Sequence, residues 1–194
     1  GRGLVHTSTR GGATNVWFLP LAGGAPVRLT TGPGPDESPT VSDDGLTWNW
    51  IGQIPTRAGD SRDDYHELHA VEAADGRIVA QIRNHNKANS GETLQSESSD
   101  GGKTWSEPHP IGVWGLPSHL LRLRDGRLLM TYGYRRAPFG NQARLSEDGG
   151  RTWSEPVTIS DDGASGDLGY PSTVEFADST LKAMLIHMNR TPKH

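Results

Sequence analysis

The sequence holds a group of side chains able to move protons, grip anions or bind a metal: Glu67, His69, Arg83, His85, His119, Tyr132, Arg135, Asp167 and Tyr170. A carboxylate beside a tyrosine can serve as acid, base or nucleophile, and an arginine fork grips a carboxylate through paired hydrogen bonds. Glu67 or Asp167 with Tyr170 would do the first kind of chemistry, with His69 and His119 beside them. Arg83, His85, Tyr132 and Arg135 would bind the substrate. That reading requires no cofactor. A second reading takes His69, His85 and His119, with Glu67, as ligands for Zn or Mn, whose bound water would attack an ester or phosphoester. No compact metal motif such as His-Glu-x-x-His supports it.

These residues need strands to bring them together, and two octapeptides show where the strands lie. Ser98–Trp105 (SSDGGKTW) and Ser146–Trp153 (SEDGGRTW) share one pattern, both run on into Ser-Glu-Pro, and their aspartates lie 48 residues apart (148 − 100). That period is the length of one four-stranded propeller blade. Around each octapeptide the apolar runs predict strands at Glu67–Glu72, Ile78–Arg83, Thr93–Ser98 and Pro108–Val113, and at His119–Leu123, Leu128–Tyr134, Gln142–Ser146 and Val157–Ser160. A third copy opens at Ser172–Phe176. Within an octapeptide, the Asp accepts backbone N–H groups inside a turn, the Gly takes positive φ, and the Trp caps the core. The motif is therefore a scaffold.

Aligning the turns at Asp75, Asp125 and Asp178 puts His69, His119 and Ser172 at equal positions, facing one channel. Strand alternation puts Glu67 on the face of His69 and turns His66 away, while Arg83 and His85 share a face. The polar stretch 56–64, with Arg57, Arg62, Asp63 and Asp64, reads as a solvated rim loop. Trp50 and Trp114 offer aromatic faces that could stack on sugars, although packing between blades is the expected role.

Residues 1–46 have a different texture. Leu4–Arg10, Asn15–Leu21 and Val27–Thr31 read as strands joined at Gly11-Gly12 and Gly23-Gly24. With Val16-Trp17, Arg28-Leu29-Thr30 and Ser42-Asp-Asp-Gly45 they resemble a propeller blade of the TolB type. Residues 47–194 form the second part, two full blades and part of another. Residues 42–176 resemble the sialidase superfamily, on the strength of the two Asp-box octapeptides and of Tyr65-His-Glu-Leu-His69, Ile82-Arg-Asn-His85, Leu116-Pro-Ser-His119, Tyr132-Gly-Tyr-Arg135 and Gly166–Ser172.

The resemblance implies an all-β, six-bladed propeller of which this chain is a partial ring of about 3.5–4 blades. It also implies a carbohydrate-active hydrolase acting on an acidic sugar at the channel, and a secreted or periplasmic location. An open ring exposes sheet edges, so a homodimer completing the propeller is expected. A non-catalytic glycan-binding or truncated propeller is the remaining alternative. A formal charge of −4 leaves no basic footprint for nucleic acid, and the absence of cysteine excludes disulfides and thiolate chemistry. No 18-residue apolar window exists to cross a membrane, and the first residues lack the apolar core of a signal peptide.

Overall fold

A computed structural model of the chain describes residues 51–168 and 170–184, together with the backbone of strands at 3–8, 15–20 and 27–28. The chain divides into two compact units, Gly1–Ile51 and Gly52–His194. In the first, β1 (Gly3–Ser8), β2 (Asn15–Pro20) and β3 (Val27–Arg28) form an antiparallel sheet in the order β1-β2-β3. The ladder pairs His6 with Trp17 and Phe18 with Val27, the aromatic and β-branched types that strands favour. The expected Gly-Gly turns, the Ser42–Gly45 motif, Trp50 and the tail beyond residue 184 lie outside the described residues.

The second unit is built of two antiparallel four-stranded meanders and a further strand pair. The first blade runs β4 (Tyr65–Glu72), β5 (Ile78–Asn84), β6 (Thr93–Ser98) and β7 (His109–Pro110). The second runs β8 (Ser118–Arg122), β9 (Leu128–Tyr134), β10 (Gly140–Ser146) and β11 (Val157–Ser160). The strands β12 (Ser172–Glu175) and β13 (Leu181–Met184) pair as the start of a third. The first strands of the three copies, β4, β8 and β12, are neighbours, with β8 packed beside both of the others. Strand β7 is shorter than its sequence predicts, because Pro108 and Pro110 have no N–H to donate to the ladder.

Local chemistry makes the repeat. In the three first hairpins, Asp75, Asp125 and Asp178 each accept the backbone N–H two residues on, at 3.2, 3.1 and 3.0 Å. The residue after each aspartate has positive φ, +80° at Gly76, +92° at Gly126 and +64° at Ser179. The third turn is therefore built like the others although serine replaces glycine, at some conformational cost. The middle strands β5 and β9 are buried almost throughout. Val79, Val113, Leu120, Leu128, Met130 and Tyr132 form the core.

The octapeptides join third strands to fourth strands, as predicted. Asp100 Oδ1 accepts from the Ser98 hydroxyl at 2.8 Å and from Thr104 N at 2.9 Å, and Asp148 repeats this with Ser146 and Thr152. Hydrogen bonds from Thr104 lower the Asp100 pKa to about 2. At Asp148 slight burial acts upward, but the bonds from Thr152 and Ser146 outweigh it and hold that carboxyl also at about 2. The second box also clamps the blades together. Gln95 of β6 donates to Gly150 O at 2.7 Å and accepts from Trp153 Nε1 at 3.2 Å. Arg77 Nη2 reaches Gly149 O at 2.8 Å, so the Asp boxes lie at the same end as the Asp-Gly turns. In a meander, the connections 85–92, 111–117, 135–139 and 161–171 must then lie at the opposite end.

Candidate functional site

That opposite end is held by two interlaced loops. Asp60 Oδ2 accepts from Arg57 Nε and from the Tyr65 hydroxyl, each at 2.7 Å, while Arg57 also donates to Asn89 Oδ1 at 3.1 Å and Ala88 O at 3.2 Å. Asn86 and Ser61 exchange two further bonds at 2.7 and 3.1 Å. Arg57 is therefore no rim residue: its side chain is 12% exposed and that of Asp60 4%. Together they fix the entry to β4 and the exit from β5. Arg62 and Asp63 do face solvent.

Just inside this entry the β4–β5 ladder pairs His66 with Arg83 and then Leu68 with Ile82, leaving Glu67 as an extra, bulged residue. A bulge re-aims side chains and breaks alternation. Glu67 accepts from the Tyr170 hydroxyl at 2.7 Å and from Arg83 Nη1 at 3.2 Å to each carboxylate oxygen. Arg83 Nη1 also lies 3.4 Å from the Tyr170 oxygen, and Arg83 Nε donates to His85 Nε2 at 2.7 Å. The His66 ring packs on His85 with centroids 4.4 Å apart, so His66, expected to turn away, joins the group through the bulge. No local residue type announces that bulge in the sequence.

The electrostatics fix the protonation of this group. Partial burial pushes the Glu67 carboxyl upward, but the Tyr170 hydrogen bond and the Arg83 charge together hold it below its ordinary value. Tyr170 is pushed up, first by its hydrogen bond to Glu67 and then by burial. His85 is pushed down by burial and by Arg83. At neutral pH the group is a carboxylate, a phenol, a guanidinium and a neutral imidazole whose Nε2 accepts. Tyr170 is 47% exposed, so the group opens to solvent.

The other candidates lie elsewhere. His69 and His119 do meet, with rings 4.4 Å apart, but as a half-buried seam between β4 and β8. Leu120 N donates to His69 Nδ1 at 3.1 Å, and His119 Nδ1 is buried without a hydrogen-bond partner. His69, His85 and His119 are not brought to one point, and among the described residues no three His, Asp or Glu side chains form a metal-ligand set. Tyr132 points into the core: it is 1% exposed, donates to Gln142 Oε1 at 2.8 Å and accepts from Arg144 Nε at 3.1 Å. Arg135 is turned to backbone, donating to Leu116 O, Gly166 O and Leu168 O at 2.8, 2.9 and 3.0 Å. Burial lowers its pKa, as does the Arg83 charge, while Tyr170, Asp167 and Glu67 act in the opposite sense, so it stands within electrostatic reach of the Glu67 group. Asp167 is exposed on the loop that Arg135 ties down.

Antiparallel four-stranded blades, Asp boxes at one end and a Tyr-Glu-Arg-His group at the other define a β-propeller of the Asp-box class. The chain belongs to the BNR repeat-like domain family, whose profile matches residues 4–183. It is similar to a protein of unknown function from Dyadobacter fermentans at 27% identity and a TM-score of 0.60, over 89% of this chain and 42% of that one. It is also similar in fold to the α-L-arabinofuranosidase Arb93A of Fusarium graminearum at 18% identity and a TM-score of 0.52, over 65% of this chain and 42% of the enzyme. The chain thus spans less than half the length of either structure. No curated protein gives a significant match.

Proposed function

We propose that this chain forms part of a carbohydrate-active hydrolase acting on an acidic sugar, with Glu67, Tyr170 and Arg83 at its chemical centre. The observation that carries the reading is the 2.7 Å hydrogen bond from the Tyr170 hydroxyl to Glu67, beside Arg83. A tyrosine bonded to a carboxylate has the geometry of an activated nucleophile, the role tyrosine plays in sialidases. Glu67 takes the phenol proton as Tyr170 oxygen attacks the anomeric carbon. The bond to the leaving oxygen breaks, and Asp167, on the same connection as Tyr170, is assigned the role of protonating that oxygen. Water then releases the sugar, and its proton goes to the group that protonated the leaving oxygen while Tyr170 recovers its own from Glu67. Arg83, with the spare donors of Arg135, grips the substrate carboxylate. The family and the fold likeness to an arabinofuranosidase support a glycoside as substrate.

The test is turnover of a panel of fluorogenic glycosides of acidic and neutral sugars. Glu67→Gln and Tyr170→Phe should each lower kcat by about 100-fold or more with the fold intact. Turnover unchanged in both variants refutes the assignment. Glycan binding without any turnover favours the non-catalytic reading.

A further inference from the structure

Trp114 lies in the connection from β7 to β8, at the same end as Glu67. Its indole is covered by the guanidinium of Arg136, 4.1 Å from the ring centroid. A cavity of about 180 Å³ opens on one side of this stack, bounded by Gly91, Trp114, Leu116, Arg135 and Arg136 among others, and one of about 190 Å³ on the other, where Arg144 and Gln142 join Trp114 and Arg136. Neither is lined by an acidic side chain. Each is smaller than the ~300 Å³ at which drug-sized sites begin, so each suits one small ring.

The charge here is unusual for the molecule. Arg57, Arg77, Arg83, Arg127 and Arg151 are each paired with a carboxylate at 2.7–3.2 Å. Around Trp114 no such pairing occurs among the described residues. Arg135 donates to three carbonyls, Arg144 to the Tyr132 hydroxyl and Ser154 O, and Arg136 rests on the indole. In a chain of formal charge −4, the Arg136 guanidinium thus lies on an aromatic ring with no ion pair to a carboxylate among the described residues. A guanidinium stacked by its face keeps its in-plane N–H donors free, pre-organised for a planar carboxylate. Trp114 and Leu116 offer apolar surface to the body of a sugar ring. Gly91 keeps the other approach close: a Cβ there would lie 3.8 Å from the indole.

We infer that the shelf formed by Trp114, Arg136 and Arg135 is a binding subsite for a carboxylate-bearing sugar, a hexuronate, separate from the Glu67 group. The carboxylate docks on the free edge of Arg136, and the ring lies against Trp114 and Leu116. Arg135 stands between the shelf and Glu67, so the two sites would hold successive units of one acidic oligosaccharide. That last link rests on the function proposed above; binding at the shelf does not.

The test is calorimetric titration with a galacturonate trimer, its methyl ester and inorganic sulfate. The acid should bind about tenfold or more tightly than the ester. Arg136→Gln, at an exposed site, should fold normally and lose about tenfold in affinity for the acid, and Trp114→Ala should lose as much. Glu67→Gln and Tyr170→Phe should bind the trimer at the shelf as wild type does, even where hydrolysis is lost. The inference is overturned if acid and ester bind equally, if sulfate alone binds as tightly as the trimer, if Arg136→Gln keeps wild-type affinity, or if Glu67→Gln abolishes binding. Shelf binding retained with no hydrolysis by the wild type leaves the subsite standing and removes the proposed activity.

Discussion

Acid should loosen the seam between the first two blades, and the residue responsible is His69. Burial, with a smaller contribution from the neighbouring His119, lowers its pKa from 6.5 to about 4. Burial also lowers that of His119. Both rings are therefore neutral at pH 7, and the Leu120 N–H donates to His69 Nδ1, which a proton would block. Two imidazolium rings with centroids 4.4 Å apart would also repel. The sign follows from proton counting: between pH 6.5 and about 4 the unfolded chain binds a proton at His69 that the folded chain refuses. Stability is complete above pH 6.5 and falls as pH drops through that window.

A pKa depressed from 6.5 to about 4 corresponds to about 3–4 kcal/mol at ~1.4 kcal/mol per unit, and solvent screening of a partly exposed ring reduces this to roughly 2 kcal/mol. The carboxylates whose pKa values are lowered, Glu67 and Glu97 among them, start from an ordinary value of 4.5 and act at the lower edge of the window and below it. The interval from pH 6.5 to about 4.5 is therefore the histidines' own. Urea unfolding midpoints measured at half-unit steps should decline across it in the wild type. His69→Gln removes the titrating ring and should flatten the decline, whatever its effect on stability at pH 8. Parallel pH profiles for the two proteins would refute the reasoning.

Removing the turn carboxylates should separate scaffold from chemistry. Asp148→Ala should lower stability by about 1–2 kcal/mol in chemical unfolding, and by more than Asp100→Ala, because among the described residues the second box is hydrogen-bonded to the neighbouring blade through Gly150 and Trp153. Neither should change the KM of any substrate handled at Glu67, which lies at the other end of the strands. Gly115→Ala should cost about 3 kcal/mol or more, since its Cβ would enter the ring of the buried Tyr132; adding Tyr132→Leu should restore part of the unfolding midpoint.

Much of the scaffold could be read because its signals are local. The bounds predicted for β6, β9 and β11 coincide with those found, since each of these strands adjoins a turn set by Asp, Gly or Ser chemistry within a few residues. The site was harder to read because its residues depend on geometry that no short stretch encodes. Alternation placed Glu67 and His66 on opposite faces, and a one-residue bulge brought both to Arg83 and His85. Tyr132 and Tyr134 look alike in sequence, yet the absence of a side chain at Gly115 makes room for the Tyr132 ring in the core. Arg135 resembles a free clamp, and three carbonyls from distant loops claim it.

The repeat itself explains how Glu67 and Tyr170 meet from 103 residues apart. Each precedes the Asp of its first hairpin by eight residues (75 − 67 and 178 − 170), Glu67 on β4 and Tyr170 just before β12, so the two occupy one position counted from their turns. The corresponding residue in the second copy is Pro117 (125 − 117), just before β8, buried and without a long polar side chain. The pair therefore forms where the threefold repetition of sequence is broken, and the function proposed above would need that break, since three identical groups would give neither a base nor a nucleophile distinct from it. The Asp boxes, where repetition is nearly perfect, carry the opposite requirement, because each has only to close the same turn.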